Sequence, residues 1–81
     1  MRVTIRLTLQ LKRQIWHLVT CTVECTEQIP LGQLPTPFNR KFLSQEAAVR
    51  YVTGIVERRL KPHLNEAAGA VEVICAVTVR P

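Results

Sequence analysis

Residues 2 to 11, R-V-T-I-R-L-T-L-Q-L, set Val3, Ile5, Leu7, Leu9 and Leu11 between Arg2, Thr4, Arg6, Thr8 and Gln10. A period of two sends one set to each face of an extended chain, so the segment reads as a strand with one oily and one polar side. Lys12-Arg13-Gln14 interrupts the pattern, and a second apolar run begins at once with Ile15. A β-hairpin follows. Its turn has no Asn-Gly and no glycine to fix its type.

The second run, I-W-H-L-V-T-C-T-V-E-C over residues 15–25, is less regular. Its odd positions Ile15, Val19, Cys21, Val23 and Cys25 are apolar, with His17 among them, but Trp16 and Leu18 are apolar too. A half-buried strand should keep one wet face. A three-residue turn pairs Leu9 with His17, Leu7 with Val19 and Ile5 with Cys21. A two-residue turn pairs Leu9 with Trp16 and Leu7 with Leu18. The first continues the apolar face along the whole second strand and is the register expected, which leaves Trp16 and Leu18 on the opposite face.

Residues 27–43 contain Pro30, Gly32, Pro35 and Pro37, which break regular structure, yet Ile29, Leu31, Leu34, Phe38 and Phe42 are spread among them. A plain linker needs no such residues, so an ordered loop pinned to the core is expected. Ser44 is placed to cap a helix, with Glu46 in its first turn and Leu43 as a hydrophobic staple. Ala48, Tyr51, Val52, Ile55, Val56 and Leu60 then follow three-and-four spacing, opposite Arg50, Glu57, Arg58 and Lys61. Gly54 on this helix reads as a place for close approach to the sheet. After Pro62 and a connector, Val71, Val73, Cys75, Val77 and Val79 alternate as a third strand.

The expected fold is α+β, a single domain over residues 1–81 with the order β-β-α-β. Strands are expected near 2–11, 15–26 and 71–80, and a helix near 45–61. With one helix returning the chain after the hairpin, the third strand runs antiparallel to the first. This gives a three-stranded antiparallel sheet in the order 2-1-3, with one helix packed on one face. Ile5, Leu7, Val19, Val52, Ile55, Val73 and Val77 form the expected core. The other sheet face stays bare, and Trp16, Leu18, Ile74 and Ala76 on it make a candidate self-association patch.

Size supports association. Eighty-one residues bury only about 60–65% of the unfolded chain's surface, so the core is thin and an oligomer would supplement it. A hydrophobic content of 47% fits a folded chain, and no apolar run is long enough to cross a membrane as a helix. The alternating N-terminus does not read as a signal peptide, and the expected location is the cytoplasm.

Eleven Lys and Arg, eight of them Arg, stand against six Glu and no Asp, for a net charge of +5. In the expected topology the hairpin tip lies at the same end as the helix C-terminus. Lys12, Arg13, Arg58, Arg59, Lys61 and His63 would then form a candidate anion or phosphate patch. The same cations also suit the negative end of a helix without any ligand. Arg2, Arg6 and Arg80 make a second, smaller group on the bare face.

Catalytic chemistry has little to draw on. Cys21, Cys25 and Cys75 are odd in number and widely spaced, and read as small buried hydrophobes rather than a disulfide framework. Cys21 and Cys25 share a strand face about 13 Å apart, too far for one metal ion. His17 reads as a core or edge histidine, and pairing with Cys21 is open on spacing alone. There is no glycine-rich phosphate loop, HExxH, paired CxxC or GxSxG. Neither a metal nor a cofactor is expected. The expected function is a non-catalytic binding or adaptor module acting through protein–protein contact as a homodimer. The alternative is a basic nucleic-acid-binding protein.

Overall fold

Each alternating segment forms a strand in a computed structural model that describes residues 1–27, 40–64 and 70–81. The elements are β1 (Arg2–Lys12), β2 (Ile15–Cys25), β3 (Lys41–Phe42), α1 (Gln45–Leu60), a 3-10 turn over Lys61–His63, and β4 (Glu72–Arg80). They make one mixed sheet in the order β3-β2-β1-β4 with the helix on one face. The α+β class and the expected element boundaries hold to within two residues.

Two features of the expected sheet do not hold. Among the described residues it has four strands, and β4 runs parallel to β1, with Val3 beside Val73, Leu7 beside Val77 and Leu9 beside Val79. The cause is the path of the chain after the hairpin. The Thr26 N–H donates to the Arg2 carbonyl at 3.0 Å, at the start of β1. By β3 the chain is back near the hairpin tip, where Lys41 pairs with His17 and Phe42 with Trp16. The helix then carries it away again, and Ala70 accepts from the Met1 ammonium at 2.9 Å. That extra traverse reverses β4.

The hairpin register also differs from both expected ones. Lys12 pairs with Ile15, leaving the two-residue loop Arg13-Gln14, with φ of 51° and 64°. Two successive left-handed residues match the type I′ turn that the twist of paired strands prefers, here without the usual Asn-Gly. From the tip, Leu11 pairs with Trp16 and Leu9 with Leu18. The register then shifts between Thr8 and Leu9, so that Thr8 pairs with Thr20, Leu7 with Cys21 and Ile5 with Val23. Val19 is the extra residue of a β-bulge.

This bulge accounts for the two oily sides of the second strand. It switches parity once, so Trp16 and Leu18 before it and Cys21, Val23 and Cys25 after it all face the helix. Opposite residues of an antiparallel pair share a face, and their partners Leu11, Leu9, Leu7, Ile5 and Val3 are all on the helix side.

The core consists of Val3, Ile5, Leu7, Leu9, Leu18, Phe42, Ala48, Val52, Val56 and Leu60, with Ile55 also buried. Of the expected core, Ile5, Leu7, Val52 and Ile55 are buried and Val73 is half-buried. Val19 is half-buried in the bulge, and Val77 is 36% exposed because the helix does not cover that part of β4. Ser44 caps α1, accepting from the Ala47 N–H at 3.1 Å. The staple is not made: Leu43 is 90% exposed, while Phe42 turns in and meets the Tyr51 ring at a centroid distance of 5.6 Å. Ile29, Leu31, Leu34 and Phe38 lie outside the described residues. Among the described residues a Cβ at Gly54 would meet the Arg58 guanidinium alone, at 3.8 Å, so no close approach to the sheet requires the glycine.

Candidate functional site

The four residues of the expected patch fall on opposite faces of the sheet. Ile74 and Ala76 pair with Thr4 and Arg6 on the face away from the helix. Leu18 is 2% exposed in the core, and Trp16 packs against that core on the helix side. The outer face is mostly polar. Arg2 pairs with Glu72 at 3.4 Å, Arg6 lies 3.8 Å from Glu24, and Thr4, Thr8, Thr20 and Thr22 stand between them. Among the described, paired strand residues, Ile15, Ile74 and Ala76 are the apolar groups on that face.

The basic cluster is divided too. Lys12 and Arg13 sit at the hairpin tip, the end at which α1 begins. Arg58, Arg59, Lys61 and His63 lie at the far end of a sixteen-residue helix, about 24 Å away at 1.5 Å per residue. The convergence needed a helix running toward the hairpin tip, but β3 has already returned the chain there, so α1 runs away from it and β4 comes out parallel to β1. The smaller group separates for the same reason: Arg80 lies beside Gln10, while Arg2 lies beside Glu72 at the other end.

His17 pairs with Gln10 on the outer face, and Cys21 faces the core, so the bulge places the two on opposite sides of the sheet. Burial pushes the Cys21 thiol above its ordinary pKa, and proximity to Cys75 adds to the shift. Burial alone raises Cys25 and Cys75. Thiols held protonated are poor nucleophiles and poor metal ligands. Among the described residues no group of three or more His, Cys, Asp or Glu is placed to hold a metal ion. No described helix is long and apolar enough to cross a membrane.

One feature of the sheet stands out. β4 is nine residues long and lies at the end of the strand order, with no described strand on its outer side. In its second half Val77 is 36% and Val79 49% exposed on the helix side, and in its first half Ile74 is 37% exposed on the outer side. An open groove lined by Gln45, Glu46, Val49 and Arg50 of α1 runs alongside Val77. Sheet edges are commonly blocked by proline, lysine, a bulge or extreme shortness. Glu72 to Arg80 carries none of these, and only its two end residues are charged. The other edge is different: β3 is two residues long.

The order 2-1-3 expected from the sequence already puts this strand at a sheet edge, but does not mark that edge as one with an uncovered apolar side. The available signal was its composition, E-V-I-C-A-V-T-V-R, with no interior charge and no proline. Comparison of the chain with protein-family models, curated proteins and solved structures finds no match.

Proposed function

We propose that the chain is a small, non-catalytic binding module that acts through protein–protein contact, with the free edge of β4 as its contact strand. The observation that carries this reading is the nine-residue edge strand with no described strand beside it, bearing exposed Val77 and Val79. An added strand would satisfy the open backbone groups of that edge, and its alternate side chains would cover the valines. The separation of His17 from Cys21 and the raised thiol pKa values favour binding over catalysis.

The test places charges on the edge. Val77→Lys/Val79→Lys alters two exposed side chains, so the domain should stay folded while the edge becomes a poor template. Association, with itself or with a partner recovered from the native host, should be lost. Unchanged association would refute the reading. Binding that nuclease abolishes and that falls steeply with salt would replace it with the nucleic-acid alternative.

A further inference from the structure

We propose that the occupant of this edge is a second copy of the chain, with β4 pairing antiparallel to β4 about a twofold axis at Ala76. The proposal rests on the reading of β4 as the contact strand and adds the partner and the register. Two four-stranded sheets would join into one continuous sheet. The interface is isologous, the commonest arrangement in soluble oligomers.

The sequence of β4 is complementary to its own reverse. Centred on Ala76, antiparallel pairing sets Glu72 opposite Arg80, Val73 opposite Val79, Ile74 opposite Thr78 and Cys75 opposite Val77. Paired residues share a face, so the Val73–Val79 and Cys75–Val77 contacts fall on the helix side, where Val77 and Val79 are exposed and Val73 is half-buried. The charged pair falls on the outer face at both ends of the strand. There Glu72, already 3.4 Å from Arg2 of its own chain, would lie between two guanidinium groups. Ala76, the smallest side chain of the strand, meets its own copy at the axis. A slip of two residues sets Glu72 against Thr78 or Arg80 against Ile74, and both charge pairs are lost. The charges therefore select one register, which matters because few other features of a plain strand would. The twofold axis stands perpendicular to the sheet, so the two helices lie on one face and flank the joined apolar stripe.

Three measurements test the pairing. Sedimentation over a concentration series should show a monomer–dimer equilibrium. Glu72→Arg or Arg80→Glu alone sets like charges opposite at both ends and should weaken the dimer by roughly tenfold or more, since opposed like charges in strand pairs are unfavourable. Mixing the two variants should restore it, because the mixed dimer has Arg opposite Glu at both ends. In a Cys75→Ala background, Ala76→Cys should cross-link to its own copy on mild oxidation. Ile74→Cys and Thr78→Cys should not, being offset by about 13 Å along the strand. The cross-linking does not depend on the folding of the charge variants.

A monomer at every concentration would overturn the proposal. So would a dimer in which the reversed variants show no preference for each other and Ala76→Cys does not cross-link. The reading of β4 as a contact strand fails separately. If the chain is monomeric and Val77→Lys/Val79→Lys still abolishes capture of a different protein, self-pairing falls and the edge reading stands.

Discussion

At the scale of single residues, the cysteines give the protein a pH dependence. Burial raises Cys21, Cys25 and Cys75, and the proximity of Cys75 raises Cys21 further. A thiol whose folded pKa lies above its unfolded value, about 8.5, leaves the folded state with more bound protons once the unfolded chain begins to ionise. Its contribution is complete below the unfolded pKa and is lost as pH rises through the folded one. Denaturant unfolding of the wild type should therefore weaken between pH 8 and pH 10 more than that of Cys21→Ala/Cys75→Ala, which removes the coupled pair. Equal slopes would show that the thiols are as free to ionise in the fold as out of it. Gly54 gives a second test. With its Cβ position facing ordinary contact only, Gly54→Ala should stabilise the helix by about 0.5–1 kcal/mol, the usual cost of glycine in a helix interior. A loss of stability in a thermal melt would restore a packing role for this glycine.

At the scale of elements, strand and helix positions were legible because periodicity alone determines them. Leu9, Leu7 and Ile5 were readable as inward-facing on the same grounds. The faces of β2 were not, because parity in a hairpin depends on the turn and on any bulge, and neither left a residue signature. Arg13-Gln14 forms a left-handed turn without glycine, and Val19 resembles its neighbours. The irregularity of I-W-H-L-V-T-C-T-V-E-C was the trace of the bulge, and a single parity read it as an exposed patch. The bulge makes a deletion test possible. Removing Val19 leaves Trp16, Leu18, Cys21, Val23 and Cys25 in unbroken alternation, so the domain should fold with the bulge erased. Removing Thr22 should destabilise it strongly, because either Glu24 turns inward or Thr20 replaces Cys21 there. Chemical denaturation ranks the two deletions, and equal losses would contradict the parity switch. Trp16→Thr/Leu18→Thr belongs to the same test. With Leu18 buried and Trp16 packed on the core, unfolding is the expected result, rather than a folded variant with altered mass.

At the scale of the whole molecule, the direction of β4 decides where every candidate site lies. It was hidden because a two-residue strand carries no periodicity and follows a segment rich in proline. Counting strands by alternation gives three, and an unseen return of the chain inverts everything after it. The same inversion separates Lys12 and Arg13 from Arg58 and Arg59, and it sets Glu72 and Arg80 at opposite ends of an open edge. The decisive check is the pairing of β1 with β4. Parallel pairing places Val3 beside Val73 and Leu9 beside Val79, so nuclear Overhauser contacts should link Leu9 to Val79 and the Met1–Arg2 end to Glu72. The antiparallel sheet in the order 2-1-3 would instead bring Arg2 and Val3 against Val79 and Arg80. Here Arg2 and Arg80 should lie about 26 Å apart, eight residues at 3.3 Å each, and Val3 and Val79 about 20 Å. A Val3–Val79 contact in the monomer would reverse β4, reunite the basic cluster at the hairpin tip and remove the ground for an Ala76-centred pair. To keep contacts across a β4–β4 interface from being mistaken for those within one chain, the spectra should be recorded on Arg80→Glu at low concentration, which weakens the pair and keeps Val79 and Glu72 in place.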